Sequence, residues 1–147
     1  MQCYAFLMIR EELAGKHAAA IRRFVQVHGL RLVVLYGSAA RGTETSASDI
    51  DIAVLGRSPL SPESEAVLAE ELARATGMPR IEMKSLHRVS PLFLETVLRD
   101  GIVLYESKPG LVRALSLYAW KLSKESAHLR EARYRKVRER IEKAHAG

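Results

Sequence analysis

The chain has 147 residues, of which 48% are apolar and 27% charged, a balance typical of one globular domain with its own core. Its single cysteine, Cys3, excludes an intramolecular disulfide and a cysteine-rich zinc site, and no apolar run approaches the roughly 18 residues of a membrane span. The formal net charge of +6 is concentrated at the end of the chain, because residues 121–147 contain nine Lys/Arg and four Asp/Glu. Such a basic tail attracts nucleic acid or an acidic protein surface.

Hydrophobic periodicity predicts helices and strands that alternate along the first part of the chain. The apolar segment Tyr4–Ile9 lacks the flanks of a signal peptide, so we expect a protein of the reducing cytoplasm. Apolar residues at helical spacing then predict an amphipathic helix over Arg10–His28 that ends at Gly29. The run LRLVVLY predicts a buried strand over Leu30–Tyr36.

The remaining elements follow from the same patterns and from helix-capping residues. Further strands are predicted over Asp49–Leu55, Arg80–Leu86 and Ile102–Tyr105, and helices over Glu63–Thr76 (capped by Ser61 or Ser64), Pro91–Asp100 and, as one or two helices, Leu111–Ala144. We therefore expect an α/β fold in which a mixed sheet of about four strands carries helices mainly on one face. Residues 1–109 would form the core, and residues 110–147 a basic helical extension of the same domain or a docking arm.

The second predicted strand carries two aspartates on one face. Asp49 and Asp51 alternate with Ile50 and Ile52, so their carboxylates point the same way and lie close together. Two such charges repel each other unless a cation neutralises them, and a hard divalent ion such as Mg²⁺ prefers oxygen ligands. An exposed aspartate pair that caps a turn is the alternative interpretation of this short pattern.

The loop before this strand has the residue types of a phosphate site. Gly37 lets the backbone approach a ligand closely, Ser38 offers a hydroxyl, and Arg41 can bind phosphate or hold a carboxylate. Taken alone, Ser38 is explained as a helix cap and Arg41 as a surface salt bridge. Beside a carboxylate pair, they indicate phosphoryl or nucleotidyl transfer.

The segment LYGSAARGTETSASDIDIAV, residues 35–54, resembles the GSxARG…SDxD signature of the DNA polymerase beta nucleotidyltransferase superfamily. The small size and the order of elements are most similar to the minimal nucleotidyltransferases, the antitoxins of HEPN–MNT toxin–antitoxin pairs. The resemblance extends, more weakly, through VLRDGIVLYE and covers roughly residues 10–106.

The resemblance implies a nucleotidyltransferase fold, an ATP substrate and a metal-assisted reaction. Asp49 and Asp51 would bind two Mg²⁺ ions, for which Mn²⁺ can substitute, and the nucleotide would contact Gly37, Ser38, Arg41 and Ser48. In the resembled antitoxins, AMP passes from ATP to a tyrosine of the cognate HEPN toxin, which is an RNase. The same toxin is therefore the expected partner here.

Glu82 is expected to be the third catalytic carboxylate and metal ligand. The family usually supplies an aspartate from the next strand, and Glu82 is the only acid on the predicted third strand. A glutamate there can bind metal and accept the proton of the attacking hydroxyl, or it can leave the enzyme slow. The alternative is a solvent-facing Glu82 paired with Lys84.

Three functions remain open from the sequence. The first is an active antitoxin nucleotidyltransferase, and the second is a catalytically weak antitoxin that binds and masks the toxin. The third, a small-molecule transferase resembling the aminoglycoside-modifying enzymes, ranks last because those usually carry a larger substrate domain. The basic helix near Arg130–Lys143 is either a solvated surface or a docking element for the toxin or a second copy of the chain; nucleic-acid binding by this tail ranks below these.

Overall fold

The computed structural model describes residues 15–43 and 48–145. Six α-helices and four strands are described, in the order α1 (Ala18–His28), β1 (Leu32–Tyr36), α2 (Gly37–Arg41), β2 (Ile50–Leu55), α3 (Pro62–Thr76), β3 (Ile81–Ser85), α4 (Pro91–Asp100), β4 (Ile102–Glu106), α5 (Leu111–Glu125) and α6 (Ala127–His145). The apolar segment Tyr4–Ile9 and residues 10–14 of the first predicted helix lie outside the described residues. Among the helices described, none combines the length and apolarity needed to cross a bilayer.

The four strands form one mixed sheet in the order β3-β2-β1-β4. Strand β1 pairs antiparallel with both β2 and β4, whereas β2 and β3 run parallel. Each strand lies within two residues of its predicted bounds, and a short 3₁₀ turn over Leu86–Arg88 takes the place of the predicted end of the third strand. The predicted mixed α/β fold with a four-stranded sheet is confirmed.

Helices cover both faces of the sheet, so the prediction of helices mainly on one face is wrong. Val33 and Leu35 of β1 belong to a core cluster shared with α1 and α3. Leu32 and Val34, which point the other way, belong to a second cluster shared with α4 and α5. All four side chains are completely buried. An apolar run without polar alternation requires cover on both faces, and the pair α1 and α3 covers one face while the pair α4 and α5 covers the other.

Local signals set the helix ends. Ser61 caps α3 by accepting a hydrogen bond from the Ser64 backbone N–H at 3.2 Å, and Pro62 follows at the first helical position. Gly29 and Gly77 end α1 and α3 in the left-handed conformation. The first of the two predicted caps is therefore confirmed, and the helix begins one residue earlier than expected.

The last part of the described chain forms two helices with different environments. Leu111 and Ala119 of α5 are buried in the second core cluster. By contrast, α6 contributes no residue to either cluster over its described length. Ser126 separates the helices, and its hydroxyl donates to the Leu122 carbonyl at 2.8 Å. Helix α5 thus packs on the core, whereas α6 extends from it.

Candidate active site

Three strands bring polar side chains together at the end of the sheet where β1 leads into α2. Asp51 on β2 lies in register with Tyr36 of β1 on one side and with Glu82 of β3 on the other. Neighbouring residues in register project from the same face of a sheet, so these three side chains form a row across it. The sequence-predicted partners Asp51 and Glu82 are therefore adjacent, on the face covered by α4.

Asp51 is the most perturbed carboxyl of this row. Partial burial raises its pKa above the ordinary value, the negative charges of Glu82 and Asp49 raise the pKa further, and the Arg41 guanidinium partly opposes them. Each of these charges acts on Asp51 through space, which places four of the predicted site residues in one electrostatic cluster. The net effect is a local negative potential of the kind that a cation relieves.

The pKa of Tyr36 responds to the same negative charges as that of Asp51. The sequence patterns did not indicate Tyr36 as a site residue. Burial raises the pKa of its hydroxyl to about 12, with further contributions from the charges of Asp51, Glu82 and Glu65. Its ring packs edge-on against Phe93 of α4, with ring centroids 5.5 Å apart. Its position directly before Gly37, at the end of a strand, is the signal that would have indicated it.

Gly37 begins α2 where the chain turns sharply out of β1. Its φ of +72° is left-handed, and a Cβ atom added there would overlap the Oδ2 atom of Asp51. The glycine is therefore required twice, by the backbone conformation and by the nearness of the Asp51 carboxylate. The loop and the carboxylate face are in direct contact.

Ser38 and Arg41 follow on the same short helix. Ser38 is half-buried and its carbonyl accepts the Thr43 backbone N–H at 3.0 Å, which closes the helix end. Arg41 is exposed and lies near enough to Asp51 to lower that residue's pKa. Helix α2 has only five residues, so side chains rather than a helix dipole determine what binds here.

Asp49 and Ser48 precede β2, and Asp49 faces a basic neighbour. The Asp49 Oδ1 atom is 4.0 Å from the Nε atom of Arg80, whose own backbone is left-handed with φ 55°. The Arg80 carbonyl accepts the Ile50 N–H at 2.9 Å, which joins the starts of β2 and β3. Ser48 is half-buried beside this junction. Arg80 was also missed, since a single arginine before a strand carries no distinct pattern.

Glu82 is exposed, and Lys84 does not form the alternative pair suggested for it. The Lys84 Nζ atom lies 3.6 Å from Oε2 of Glu65 on α3. The other Glu65 oxygen, Oε1, accepts the Ser85 backbone N–H at 2.8 Å. Glu65 thereby anchors the edge strand β3 to α3, and Glu82 remains directed to the row with Asp51.

The predicted metal ligands Asp49, Asp51 and Glu82 lie near one another but do not surround a common point. Within residues 15–43 and 48–145, no three side chains of Asp, Glu, His or Cys come together closely enough to hold a metal ion as they stand. Asp49 is exposed at the strand start and near Arg80, while Asp51 and Glu82 pair across the sheet.

Comparisons of the amino-acid sequence with known proteins give one family match and one relative. The sequence profile of the family described as polymerase beta, nucleotidyltransferase matches residues 20–110. The protein adenylyltransferase MntA of Shewanella oneidensis is 31% identical over 93 residues, which are 60% of this chain and 66% of that protein. The alignment thus covers slightly less than two thirds of the relative's length.

Solved structures share the fold. The crystal structure of a toxin–antitoxin with AMP-PNP aligns with a TM-score of 0.71 and 24% identity, covering 82% of this chain and 97% of the other. A complex of the tri-AMPylated Shewanella oneidensis HEPN toxin with its MNT antitoxin aligns with a TM-score of 0.65 and 23% identity, covering 82% and 95%. The profile match spans all four strands and every predicted site residue, and on that ground this chain belongs to the polymerase beta nucleotidyltransferase family.

Proposed function

We propose that this chain is an antitoxin-type adenylyltransferase that transfers AMP from ATP to a hydroxyl of a cognate HEPN toxin and so neutralises it. The observation that carries the proposal is the parallel register that sets Glu82 beside Asp51, with Gly37 against the same carboxylate. The name of the MntA relative supports the reaction type. The AMP-PNP and tri-AMPylated complexes support ATP as donor and the toxin as acceptor, for which we propose a tyrosine.

The carboxylates fit a divalent cation. Burial and two neighbouring acids raise the pKa of Asp51, so the site disfavours its own negative charge and a cation would stabilise it. Asp49, Asp51 and Glu82 supply the oxygen ligands that Mg²⁺ and Mn²⁺ prefer. When bound, two such ions neutralise the triphosphate and lower the pKa of the acceptor hydroxyl.

The side chains around α2 would bind the nucleotide. The Ser38 hydroxyl and the Arg41 guanidinium offer donors to phosphate oxygens. Gly37, whose missing side chain leaves space for the Asp51 carboxylate, would contact the phosphates through its backbone. Ser48, two residues before β2, would contact the nucleotide as well. These donors hold the triphosphate against the carboxylate face.

The transfer itself is a substitution at phosphorus. The acceptor oxygen forms a bond to the α-phosphorus of ATP as the bond from that phosphorus to its bridging oxygen breaks, and pyrophosphate leaves. Glu82 is the base that takes the hydroxyl proton in this proposal, since it is exposed toward an incoming acceptor. The reaction would take place in the cytoplasm, where ATP and the RNase toxin meet.

Mass spectrometry tests the proposal directly. A HEPN protein encoded beside this chain is incubated with it, ATP and Mg²⁺, and we expect the HEPN protein to gain the mass of one or more AMP groups. The Asp49→Asn/Asp51→Asn variant should produce no gain. A wild-type reaction that leaves the mass unchanged contradicts the enzymatic function.

The second candidate, a masking antitoxin, is favoured by Glu82, an exposed glutamate where the resembled family usually has an aspartate. In that case, the same incubation yields a stable complex and inhibition of the toxin's RNase activity without any mass gain. Inhibition by the double asparagine variant, equal to that of the wild type, would establish masking.

A further inference from the structure

Exposed apolar side chains are concentrated on the last two helices. Of the eleven large apolar side chains that are exposed in the described chain, seven lie on α5 and α6. They include Trp120 on α5, which is 54% exposed, and Tyr134 on α6, which is 72% exposed. Exposed aromatic and aliphatic side chains that are interspersed with arginine are typical of a protein–protein interface.

Helix α6 carries three of them at heptad spacing. Tyr134, Val137 and Ile141 are 72%, 47% and 53% exposed and follow one another at steps of three and four residues. That spacing places them along one seam of the helix, as at the a and d positions of a coiled coil. The 19 residues of α6 span about 28 Å, a length of more than two heptads along which a second helix can pack.

The positions that flank this seam are basic. Arg133 and Arg140 lie along one side, and Arg138 lies along the other with a single acid, Glu131. The remaining acids of α6, Glu139 and Glu142, lie on the opposite side of the helix from the seam. Flanking charges set partner choice in helix pairs, so this arrangement selects an acidic neighbour.

The same charges do not favour pairing with a second copy of the chain. In a parallel pair, Arg133 of each copy would lie opposite Arg138 of the other. In an antiparallel pair, Arg133 would lie near Arg140 of the other copy, while Arg138 would lie near Glu131, so that repulsive and attractive contacts offset each other. Like charges directly opposite destabilise a helix pair. The sequence left a homo-oligomer open as one use of this helix; its parallel form is disfavoured, and its antiparallel form gains less from these charges than pairing with an acidic helix does.

We propose that α6 docks through Tyr134, Val137 and Ile141 onto a partner helix with apolar residues at the matching seam and acidic residues beside it. The inference deepens the proposed function and rests on it for the identity of the partner, since that helix would belong to the toxin. The flanking arginines supply long-range attraction and register, and the seam supplies the buried apolar area.

A synthetic peptide tests the surface without the toxin. The probe is a three-heptad helix with Leu at a and d and Glu at e and g; the comparison peptide has Lys at e and g. We expect the full-length chain to bind the acidic peptide and not the basic one, as measured by calorimetry. The chain alone should sediment as a monomer.

Matched variants separate docking from nonspecific attraction. Arg133→Glu/Arg140→Glu should weaken peptide binding by about tenfold, because each substitution replaces an ion pair with a repulsion between like charges. Arg135→Glu/Lys136→Glu, at two positions away from the seam, changes the net charge by the same amount as the first double variant and should have little effect. Val137→Ser should weaken binding, whereas Leu129→Ser, which is 63% exposed but off the seam, should not. Circular dichroism checks that each variant remains helical.

Three outcomes overturn the inference. Equal binding of both peptides removes the charge selectivity, and an α6-mediated dimer makes a second copy the occupant. A single-stranded RNA that competes with the acidic peptide and binds Val137→Ser as well as wild type makes the helix a polyanion site. If AMP transfer fails but the chain still selects the acidic peptide, only the proposed function is contradicted. If transfer is normal but the peptides and variants show none of the expected binding differences, only the docking is contradicted.

Discussion

Glu82 differs by one methylene from the aspartate that the resembled family usually has. Glu82→Gln keeps the shape but removes charge and basicity, so transfer should fall by about 10²–10⁴-fold, the usual contribution of a general base. Glu82→Asp should match or exceed the native rate if the longer side chain only slows the reaction. Single-turnover transfer assays, with ATP binding measured separately, check both variants. Native rates in both would leave a site of two carboxylates.

The raised pKa of Asp51 predicts that its carboxylate destabilises the folded protein in the absence of metal. Because its pKa is raised in the folded protein, its charged form is less favourable there than in the unfolded chain. Asp51→Asn should therefore raise the melting temperature in EDTA at neutral pH. The gain should fade as the pH falls through the raised pKa toward the ordinary value of 3.8, since the carboxyl is then neutral in both states. A lower melting temperature of Asp51→Asn at neutral pH would contradict this explanation. We expect the variant to lose AMP transfer while it remains folded.

Gly37 and Gly77 form a matched pair, because both have a left-handed φ, of 72° and 69°. Alanine at either position should cost about 1–2 kcal/mol of conformational strain. Only at position 37 does the added Cβ overlap the Asp51 carboxylate, whereas nothing lies within 4 Å at Gly77. We expect Gly37→Ala to abolish transfer and Gly77→Ala to preserve it. Equal transfer activity of the two variants, measured well below their melting temperatures, would mean that the space at Gly37 is not needed for the reaction.

At the scale of elements, the edge strand β3 carries Glu82 and pairs with β2 on one side only. One side chain of α3, that of Glu65, contacts two residues of this strand. Glu65 accepts the Ser85 N–H at 2.8 Å and lies 3.6 Å from Lys84, with 14% of its side chain exposed. Glu65→Ala should reduce the free energy of unfolding by about 1–3 kcal/mol, because a partly buried N–H loses its acceptor. Transfer should also fall, as β3 positions Glu82 beside Asp51.

The control for this prediction lies on the same helix. Glu70 pairs with Arg74 at 4.0 Å, and both side chains are at least 70% exposed. Glu70→Ala should change the free energy of unfolding by less than about 0.5 kcal/mol, as is usual for exposed pairs. Denaturant unfolding of both variants gives the comparison. Similar losses at the two positions would mean that Glu65 does not anchor the strand.

At the scale of the whole molecule, α5 and α6 should differ in their importance for folding. Leu111 and Ala119 of α5 are buried against α4 and the sheet, whereas α6 adds nothing to the core clusters. A chain truncated after Ser126 should keep the cooperative unfolding and melting temperature of the full protein. Truncation after Gly110 should expose the apolar side of α4 and leave a chain that aggregates or melts earlier. Sequence patterns set the core at residues 1–109, so these two truncations also test that boundary.

The site could be predicted from the sequence only where it is local. Gly37, Ser38, Arg41 and Asp51 lie within fifteen residues, and period-2 alternation determines which face each strand residue occupies. Glu82 could be proposed from the resemblance, but its place next to Asp51 depends on β3 running parallel to β2 in one particular register. Tyr36 and Arg80 were missed because their roles arise from neighbours distant in sequence.

The sequence by itself determined the strand and helix types, the helix caps and the carboxylate face, because each depends on residues within one or two turns of one another. Only the tertiary structure decided that helices cover both faces of the sheet, that α5 packs on the core and that Lys84 pairs with Glu65 rather than Glu82. The physical reason is that alternation along a strand tells which side chains share a face. Alternation does not tell which helix packs on that face or which charged residue from a distant part of the sequence lies beside it. Both depend on how the chain connects the strands and helices in three dimensions.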